Sequence, residues 1–342
     1  MPSVRPQRAC VKRPVAFYMT CSASELIEIN ENTKKENRMI DPELKKKYGA
    51  HAIANGQRLQ PKSFERKLAL RDSLDQHFTK AWVDFVIEGF GDRTALDDRT
   101  RFLVLVGQFT MARSGEALED AIRAALAVKV PAREVLEIIL QCAVYGGNTV
   151  VDPALDIFGS VAKDLGLMDE LKESQLPIEG YNLTRKMDDE RADWPEEDAN
   201  NPIREKLMAK HDWLGISTGM RLRPKHHLNI LNYLDTIDEG FADLWVNFAY
   251  RDMYGRWLVD DKTRLLCMVG DCMAVGETTQ ARAHMRGSMR AGADAREVLE
   301  VIVQSCQNFG MPSMLRGLGI FVKIMTEDGR LDEIGNPASA VE

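Results

Sequence analysis

The stretch REVLEIILQC, Arg133–Cys142, recurs almost unchanged as REVLEVIVQS, Arg296–Ser305. In each copy a glutamate, Glu137 or Glu300, stands among aliphatic residues that cover most of a helix circumference at about 100° per residue. The two copies lie 163 residues apart, and the chain matches itself at that shift without a gap. Identical pairs include Gly56 and Gly219, Trp82 and Trp245, Phe85 and Phe248, and Arg101 and Arg264. Such a match indicates a duplicated unit.

The composition of the 342-residue chain, 44% hydrophobic and 28% charged, is that of a folded protein. Its net charge of −7 argues against a nucleic-acid binder, which presents a basic face. No apolar run approaches the roughly 18 residues of a membrane span, so we expect no membrane partner. The six cysteines form no Cys-x-x-Cys pair. This pattern predicts reduced thiols in a cytoplasmic protein rather than a disulfide framework or a zinc site.

The repeat also predicts the domain boundaries. The two units span 50–168 and 213–331, with an N-terminal arm over 1–49, an acidic linker over 169–212 and a C-terminal tail over 332–342. The linker contains the run DDERADWPEEDANNP, which is typical of a surface segment. The arm is basic, and its apolar patch is too short for a secretory signal. We expect a loosely ordered start, with a transit peptide as the alternative.

Apolar periodicity predicts helices in both units, and no stretch alternates with a period of two. In the first unit the helices are expected over 97–112, 116–130 and 133–147, and the second unit repeats the pattern. In the second unit Asp294 and Glu297 have the spacing of a capping box, which gives the glutamate a structural role. The sequence therefore predicts an all-α fold of two tandem helical bundles.

A narrow polar stripe runs along the third helix of each unit. Its residues are Glu134, Glu137, Gln141 and Tyr145 in the first unit, and Glu297, Glu300, Gln304 and Asn308 in the second. Because its flanks are apolar, we expect the stripe to line an internal cleft or an interface. A carboxyl held away from water is suited to proton transfer near neutral pH, so Glu137 and Glu300 are candidate catalytic residues. The alternative is a structural ion pair with a buried arginine, such as Arg123 or Arg286.

His284 is the other candidate for proton transfer. It lies on the helix before the Glu300 stripe, and helices joined by a short turn run antiparallel, so we expect it to approach the stripe. The first unit has Ala121 at the equivalent position. A histidine that is only packed or solvated is the alternative. The adjacent pair His226 and His227 is a weak metal candidate, because neighbouring residues point in different directions on a helix, and we predict no metal site.

A histidine ahead of an arginine, followed by REVLEVIVQ and a Gly-x-Pro turn, resembles the carboxymuconolactone decarboxylase family. The residues that carry the resemblance are His284, Arg286, Glu297, Glu300, Gln304, Gly310 and Pro312 in the second unit, and Arg123, Glu134, Glu137, Gln141, Tyr145 and Gly147 in the first. The family's Tyr-x-Gly-x-Pro turn is divided between the units. The first has Thr149 in place of the proline, and the second has Asn308 in place of the tyrosine.

The resemblance implies an alkylhydroperoxidase-D-like fold and a decarboxylase of aromatic catabolism that converts 4-carboxymuconolactone to an enol-lactone without metal or organic cofactor. It also implies trimers or hexamers with sites between units, so a tandem chain would form a homotrimer with a pseudo-hexameric arrangement. The thiol peroxidases of the same superfamily need a Cys-x-x-Cys pair. Its positions are occupied here by Thr149 and Asp152, or by Pro312 and Leu315, which excludes that chemistry.

On this resemblance, His284 and Glu300 form a proton relay, with Glu137 as the first unit's counterpart. The expected substrate-binding residues are Arg286, Arg123, Tyr145, Gln304 and Asn308. The predicted function is cofactor-free decarboxylation of a small lactone or oxygenated carboxylate. The alternatives are a related proton-transfer lyase or isomerase, and a binding or scaffold member without activity. Ala121 makes the first unit the weaker site unless one site is shared between units.

Overall fold

A computed structural model describes residues 40–178 and 201–335. Within these ranges every regular element is a helix and there is no strand, which confirms the predicted all-α class. Most of the N-terminal arm, the central part of the linker and most of the tail lie outside the described residues, so their predicted character stays a prediction. No helix in the described part is long and apolar enough to cross a membrane.

The first half of the chain contains ten α-helices and a π-helical segment in its described residues. The α-helices are α1 Pro42–Tyr48, α2 Ala50–Leu59, α3 Phe64–Leu74, α4 Gln76–Trp82, α5 Asp98–Met111, α6 Gly115–Ala127, α7 Ala132–Gln141, α8 Ala143–Gly146, α9 Asn148–Asp164 and α10 Met168–Glu173. The π-helical segment, Val83–Gly89, directly continues α4.

The second half continues with eight α-helices in its described residues. These are α11 Pro202–Met208, α12 Trp213–Leu222, α13 Pro224–Ile237, α14 Glu239–Trp245, α15 Asp261–Val275, α16 Thr278–Arg290, α17 Ala295–Phe309 and α18 Met311–Glu327. A π-helical segment, Val246–Met253, again follows the fourth helix of the series, and short 3₁₀ turns span Tyr254–Arg256 and Leu331–Ile334.

Helix starts in the two halves keep the spacing of the sequence repeat. The helices α2, α5, α6 and α7 begin 163 residues before α12, α15, α16 and α17. The boundaries of the units at 50–168 and 213–331 stay a prediction. The short helices α1, α10 and α11 fall in segments that the sequence analysis assigned to the arm and the linker.

Side-chain caps define several of these helix starts. Asp97 accepts a hydrogen bond from the backbone N–H of Thr100 at 2.8 Å, and Asp260 does the same for Thr263 at 2.8 Å. Asp294 begins α17 with the predicted capping box, which is confirmed. These bonds satisfy amide groups that have no partner within the helix.

The third helix differs between the halves. The sequence predicted one helix over 133–147, but α7 ends at Gln141, and the N–H of Cys142 bonds to the carbonyl of Ile139 at 3.2 Å. This bond reaches back three residues instead of four, so the chain tightens before α8. The equivalent α17 is continuous to Phe309. Both segments end at a glycine with positive φ, as the predicted turns require.

The central helices α5 and α15 lie side by side and join the two halves into one core. Equivalent glycines permit this contact. A Cβ atom at Gly107 would lie 2.3 Å from Asp271 Oδ1, and one at Gly270 would lie 2.9 Å from Val104 Cγ1. The halves are therefore packed through the interior and are not independent bundles.

Candidate active site between the two halves

The Glu300 stripe of the second half contacts arginines of the first half. Glu300 accepts hydrogen bonds from Arg93 Nε at 2.8 and 2.7 Å, and Arg101 Nη1 lies 3.6 Å from its carboxylate. One turn further along α17, Gln304 accepts a bond from Arg101 Nη1 at 3.2 Å. Glu300 and Arg101 are almost completely buried, so these contacts are desolvated.

The Glu137 stripe of the first half makes the equivalent contacts with arginines of the second half. Glu137 accepts a hydrogen bond from Arg256 Nη2 at 2.8 Å, and Gln141 accepts one from Arg264 Nη1 at 3.0 Å. Arg256 and Arg264 are the equivalents of Arg93 and Arg101 under the 163-residue shift. Each stripe therefore faces the other half of the same chain.

These contacts correct the predicted role of the glutamates. Each carboxylate is buried and forms an ion pair with an arginine, and neither glutamate lines the cavity described below. Removing such a carboxylate alone would leave a buried arginine without its counter-charge. The structural alternative is what the geometry supports, but the partners are Arg93 and Arg256 instead of Arg286 and Arg123.

Arg286 and Arg123 lie at the surface rather than beside the glutamates. Arg286 Nη2 is 2.9 Å from both Glu327 Oε2 and Asp328 Oδ1, and Arg123 Nη2 is 2.8 Å from Asp164. Arg286 follows His284 by two positions, which places the two side chains on different faces of α16. Neither arginine lines the cavity described below, and their expected substrate-binding role stays a prediction.

His284 reaches the first half rather than Glu300. It is fully buried on α16, and its Nε2 atom lies 2.5 Å from the hydroxyl of Tyr145. The two rings meet edge to face, with centroids 5.5 Å apart. Tyr145 belongs to the stripe of the first half, so the structure joins the two candidates across the interface.

Arg223 completes this cluster. Its Nη1 atom donates to Gln280 Oε1 at 2.8 Å and to the Tyr145 hydroxyl at 3.3 Å, and its Nη2 atom donates to the Tyr250 hydroxyl at 2.6 Å. Only 6% of Arg223 is exposed, and no carboxylate contacts its guanidinium in the described residues. The cluster thus contains a buried positive charge held by neutral groups.

A cavity of about 990 Å³ opens beside this cluster, and we call it the Tyr145 cavity. Residues from both halves line it, including Met111, Tyr145, Arg223, Trp245, Tyr250 and Gln280. His284 is buried behind Tyr145. The tyrosine is therefore the group that connects the histidine to the cavity.

Burial controls the protonation of the cluster. Desolvation, followed by repulsion from Arg223 and His226, lowers the pKa of His284 well below its ordinary value. Burial raises the pKa of Tyr145 above its ordinary range, although Arg223 opposes that shift. At neutral pH the imidazole and the phenol are both uncharged, and Arg223 supplies the positive charge.

Comparison with known proteins gives two findings. The model of the carboxymuconolactone decarboxylase family matches residues 239–323, a range that contains His284, Arg286, Glu300 and Gln304. The chain belongs to the carboxymuconolactone decarboxylase family. It is also 36% identical over 95 residues to an uncharacterized 15.0 kDa protein in the nqo9–nqo10 intergenic region of Paracoccus denitrificans, an alignment that covers 27% of this chain and 68% of that relative.

The sequence did not identify three members of the cluster, which are Arg223, Tyr250 and Gln280. Each replaces a residue that cannot do the same work in the first unit, where the equivalents are Gln60, Ile87 and Ala117. That divergence was readable from the repeat. Asn308, the equivalent of Tyr145, lines a different cavity.

The remaining candidates from the sequence are the adjacent histidines His226 and His227 and the cysteines. Among the described residues no three His, Cys, Asp or Glu side chains gather as metal ligands. His226 Nε2 lies 3.0 Å from Gln280 Oε1, and the His227 ring packs 4.2 Å from that of Tyr250. Cys142, Cys267 and Cys272 are free and buried.

Proposed function

We propose that this chain is a cofactor-free enzyme that transfers protons to or from a small oxygenated carboxylate in the Tyr145 cavity. The reaction best supported by family membership is decarboxylation of a lactone acid, of the carboxymuconolactone type, in aromatic-compound catabolism. The observation that carries the proposal is the contact of Tyr145 with His284 at 2.5 Å beside the buried cation of Arg223.

Arg223 is suited to bind the carboxylate or a developing oxyanion. A guanidinium in a desolvated site binds an anion more strongly than it does in water. Its bonds to Tyr250 and Gln280 fix its orientation before the substrate arrives, so little reorganisation is needed. In this proposal Arg223 takes the role that the sequence suggested for Arg286.

Tyr145 is suited to deliver the proton. When the C–C bond to the carboxylate breaks, carbon dioxide leaves and the electron pair passes into the conjugated carbonyl of the substrate. The Tyr145 hydroxyl then gives its proton to carbon, and the tyrosine oxygen, held by Arg223 and His284, regains a proton from solvent. His284 orients the hydroxyl. General acid catalysis of this kind contributes about 10²–10⁴-fold.

Two alternatives use the same cavity. A related lyase or isomerase would move a proton between two carbons of a bound carboxylate without loss of carbon dioxide. A binding member of the family would hold the acid at Arg223 and leave it unchanged. The alternatives differ in the product and not in the predicted contacts, because fold alone does not fix the reaction.

The test is carbon dioxide release from a panel of muconolactone acids. We expect Tyr145→Phe to lower kcat by about 10²–10⁴-fold, since the proton donor is lost. Arg223→Met should raise KM as well as lower kcat. Glu300→Gln should retain the chemistry in the fraction that folds.

Tyr48→Phe is the matched control, because Tyr48 is a buried tyrosine that bonds to Asp72 and does not line the cavity. Full activity of Tyr145→Phe would contradict the site assignment. Wild-type protein that is inert on the panel but isomerises or merely binds an acid would favour the corresponding alternative.

We also propose that three copies of the chain associate as a homotrimer, so that their six units take a pseudo-hexameric arrangement. Both halves expose large apolar side chains at equivalent positions. In the first half they lie on α3, α4 and the π-helical segment that follows, and in the second half on α13, α14 and the π-helical segment that follows. These outer faces consist of Leu70, Leu74, Phe78 and Phe85 in the first half, and Tyr233, Ile237, Phe241 and Phe248 in the second. Large exposed apolar groups of this kind are typical of association surfaces.

A further inference from the structure

A second cavity, of about 270 Å³, lies at the position equivalent to the Tyr145 cavity, and we call it the Arg71 cavity. The 163-residue shift relates the two linings. Trp82 corresponds to Trp245, Gln60 to Arg223, and Asn308 to Tyr145, and all six line their cavities. The duplication has therefore given the chain two cavities at the interface of its halves.

The Arg71 cavity lacks the proposed proton-transfer groups. Ala121 stands where the second half has His284, and Asn308 stands where the first half has Tyr145. Neither replacement can exchange a proton near neutral pH. A ligand in this cavity would be held without the reaction proposed for the other one.

The Arg71 cavity instead has cations that the other cavity lacks at those positions. Lys67 and Arg71 replace Ile230 and Leu234. Lys67 is already paired, with its Nζ atom 3.2 Å from Glu116 Oε2. Arg71 lies with its guanidinium carbon 4.0 Å from the centre of the Trp82 ring.

Three polar atoms in the lining have no hydrogen-bond partner in the part of the chain that the structure describes. They are the donors Arg71 Nη1 and Asn308 Nδ2 and the acceptor Gln60 Oε1, and all three are buried. Buried polar atoms are nearly always hydrogen-bonded in native proteins, so such a cluster indicates a missing partner. Two donors, one of them cationic, match the oxygens of a carboxylate.

The rest of the lining is apolar or aromatic. Phe109 and Trp82, whose ring is partly covered by Arg71, supply aromatic groups, and Leu59, Leu105 and Val86 supply aliphatic contacts. The charge of Asp120 is offset by Lys67, whose Nζ lies 3.6 Å from its Oδ2, and its Oδ1 accepts bonds from the N–H groups of Lys62 and Ser63 at 2.8 and 3.0 Å. The cavity thus combines one available cation with aromatic and aliphatic side chains.

We propose that the Arg71 cavity is a second, non-catalytic binding site for a small monocarboxylate with a planar unsaturated body. The carboxylate is held by Arg71 and Asn308, a polar substituent donates to Gln60, and the body packs against Phe109 and the aliphatic side chains of the lining. The site binds independently of the chemistry proposed for the Tyr145 cavity.

Isothermal titration with benzoate tests this proposal on the full chain. In the Arg223→Met variant, whose Tyr145 cavity has lost its cation, we expect one benzoate to remain bound per chain. Adding Arg71→Met should weaken that binding by about tenfold or more, since hydrogen bonds to a charged group are lost. Methionine keeps an unbranched chain against Trp82 while removing the charge.

Arg66→Met is the matched control, because Arg66 lies on the same helix, is exposed and does not line the cavity. Asn308→Asp provides a second variant, in which a carboxylate repels benzoate but spares neutral benzamide. If Arg71→Met and Arg66→Met bind benzoate alike, the proposal is overturned. An inactive enzyme whose benzoate binding still depends on Arg71 would contradict only the proposed function.

Discussion

At the scale of single residues, Glu137 and Glu300 form ion pairs across the interface of the halves. Glu137 is 1% exposed and Arg256 is 16% exposed. Removing one member of a buried pair leaves an unpaired charge, whereas replacing both members by apolar groups is often nearly neutral. The glutamates therefore act on stability through their partners.

We predict that Glu137→Met lowers the free energy of unfolding by about 3 kcal/mol, while Glu137→Met with Arg256→Met recovers most of that loss. Urea denaturation of the single and double variants measures both values. The exposed pair Lys80 and Asp84 is the control, and its removal should change stability by less than about 1 kcal/mol. Additive losses at Glu137 and Arg256 would show that the two residues are not coupled.

His227 makes stability depend on pH. Burial, followed by repulsion from Arg223 and His226, lowers its pKa to about 3. Its contribution is fully present above the unfolded pKa of about 6.5 and is lost as the pH falls from 6.5 towards 3, because only the unfolded chain takes up the proton. The loss is about 1.4 kcal/mol per pH unit.

We predict that His227→Phe removes this share of the pH dependence. Relative to wild type, the variant should gain about 2 kcal/mol between pH 6.5 and pH 5.0, measured by urea denaturation at each pH. His51→Gln is the control. The pKa of His51 is raised by its hydrogen bond to Asp92, so any change has the opposite sign. Parallel pH curves for wild type and His227→Phe would contradict the assignment of a neutral buried histidine.

The sequence identified Tyr145 and His284 separately but not their contact. Periodicity along one helix shows which residues share a face, and it does not show which distant helix that face meets. The same limit explains why Glu300 was assigned to His284 when its partner is Arg93. Comparison of the two units could have identified Arg223 and Tyr250. Their equivalents in the first unit, Gln60 and Ile87, have neither a charge nor a phenol.

At the scale of helices, the contact between α5 and α15 depends on glycine. Gly107 has no room for a side chain because Asp271 Oδ1 would lie 2.3 Å from its Cβ atom. A Cβ atom added at Gly159, in the middle of α9, would meet no neighbouring atom within 4 Å. An alanine side chain would therefore clash at Gly107 and find free space at Gly159.

We predict that Gly107→Ala lowers the free energy of unfolding by about 1–3 kcal/mol through overpacking. Gly159→Ala should raise it by about 0.5–1 kcal/mol, because alanine favours the helix. Thermal and urea denaturation of both variants provide the measurement. A destabilised Gly159→Ala together with an unchanged Gly107→Ala would contradict the packing described for α5 and α15.

Helices were the most predictable part of the fold. The apolar period placed the start of α5 within a residue or two, and the capping box at Asp294 did the same for α17. The tightened turn at Cys142 was not predicted, since an apolar run continues through it without a proline or a glycine. Local sequence preference did not contain the signal for that break.

At the scale of the whole molecule, the two halves share a core and enclose two unequal cavities. Each half supplies the arginines that bind the glutamate of the other, so neither half is complete alone. The sequence predicted the repeat and its period. It did not predict that the first half would contribute the tyrosine, and the second the histidine and arginine, of one cluster.

We predict that light scattering will give the mass of about three chains, because neighbouring copies in the proposed trimer would cover the outer faces. Phe78→Lys with Phe241→Lys should shift the protein towards the 38.5 kDa of one chain, because a charge on each face opposes burial. Met168→Lys, at an exposed apolar residue outside those faces, is the control and should leave the mass unchanged. A wild-type monomer would contradict the proposed association.

The most direct test of the site between the halves is a crystal structure of the protein with benzoate. We predict that a carboxylate will lie within hydrogen-bond distance of Arg223, next to the Tyr145 hydroxyl and with its ring in the Tyr145 cavity. Benzoate bound at the surface beside Arg286, with the Tyr145 cavity containing only water, would contradict the account.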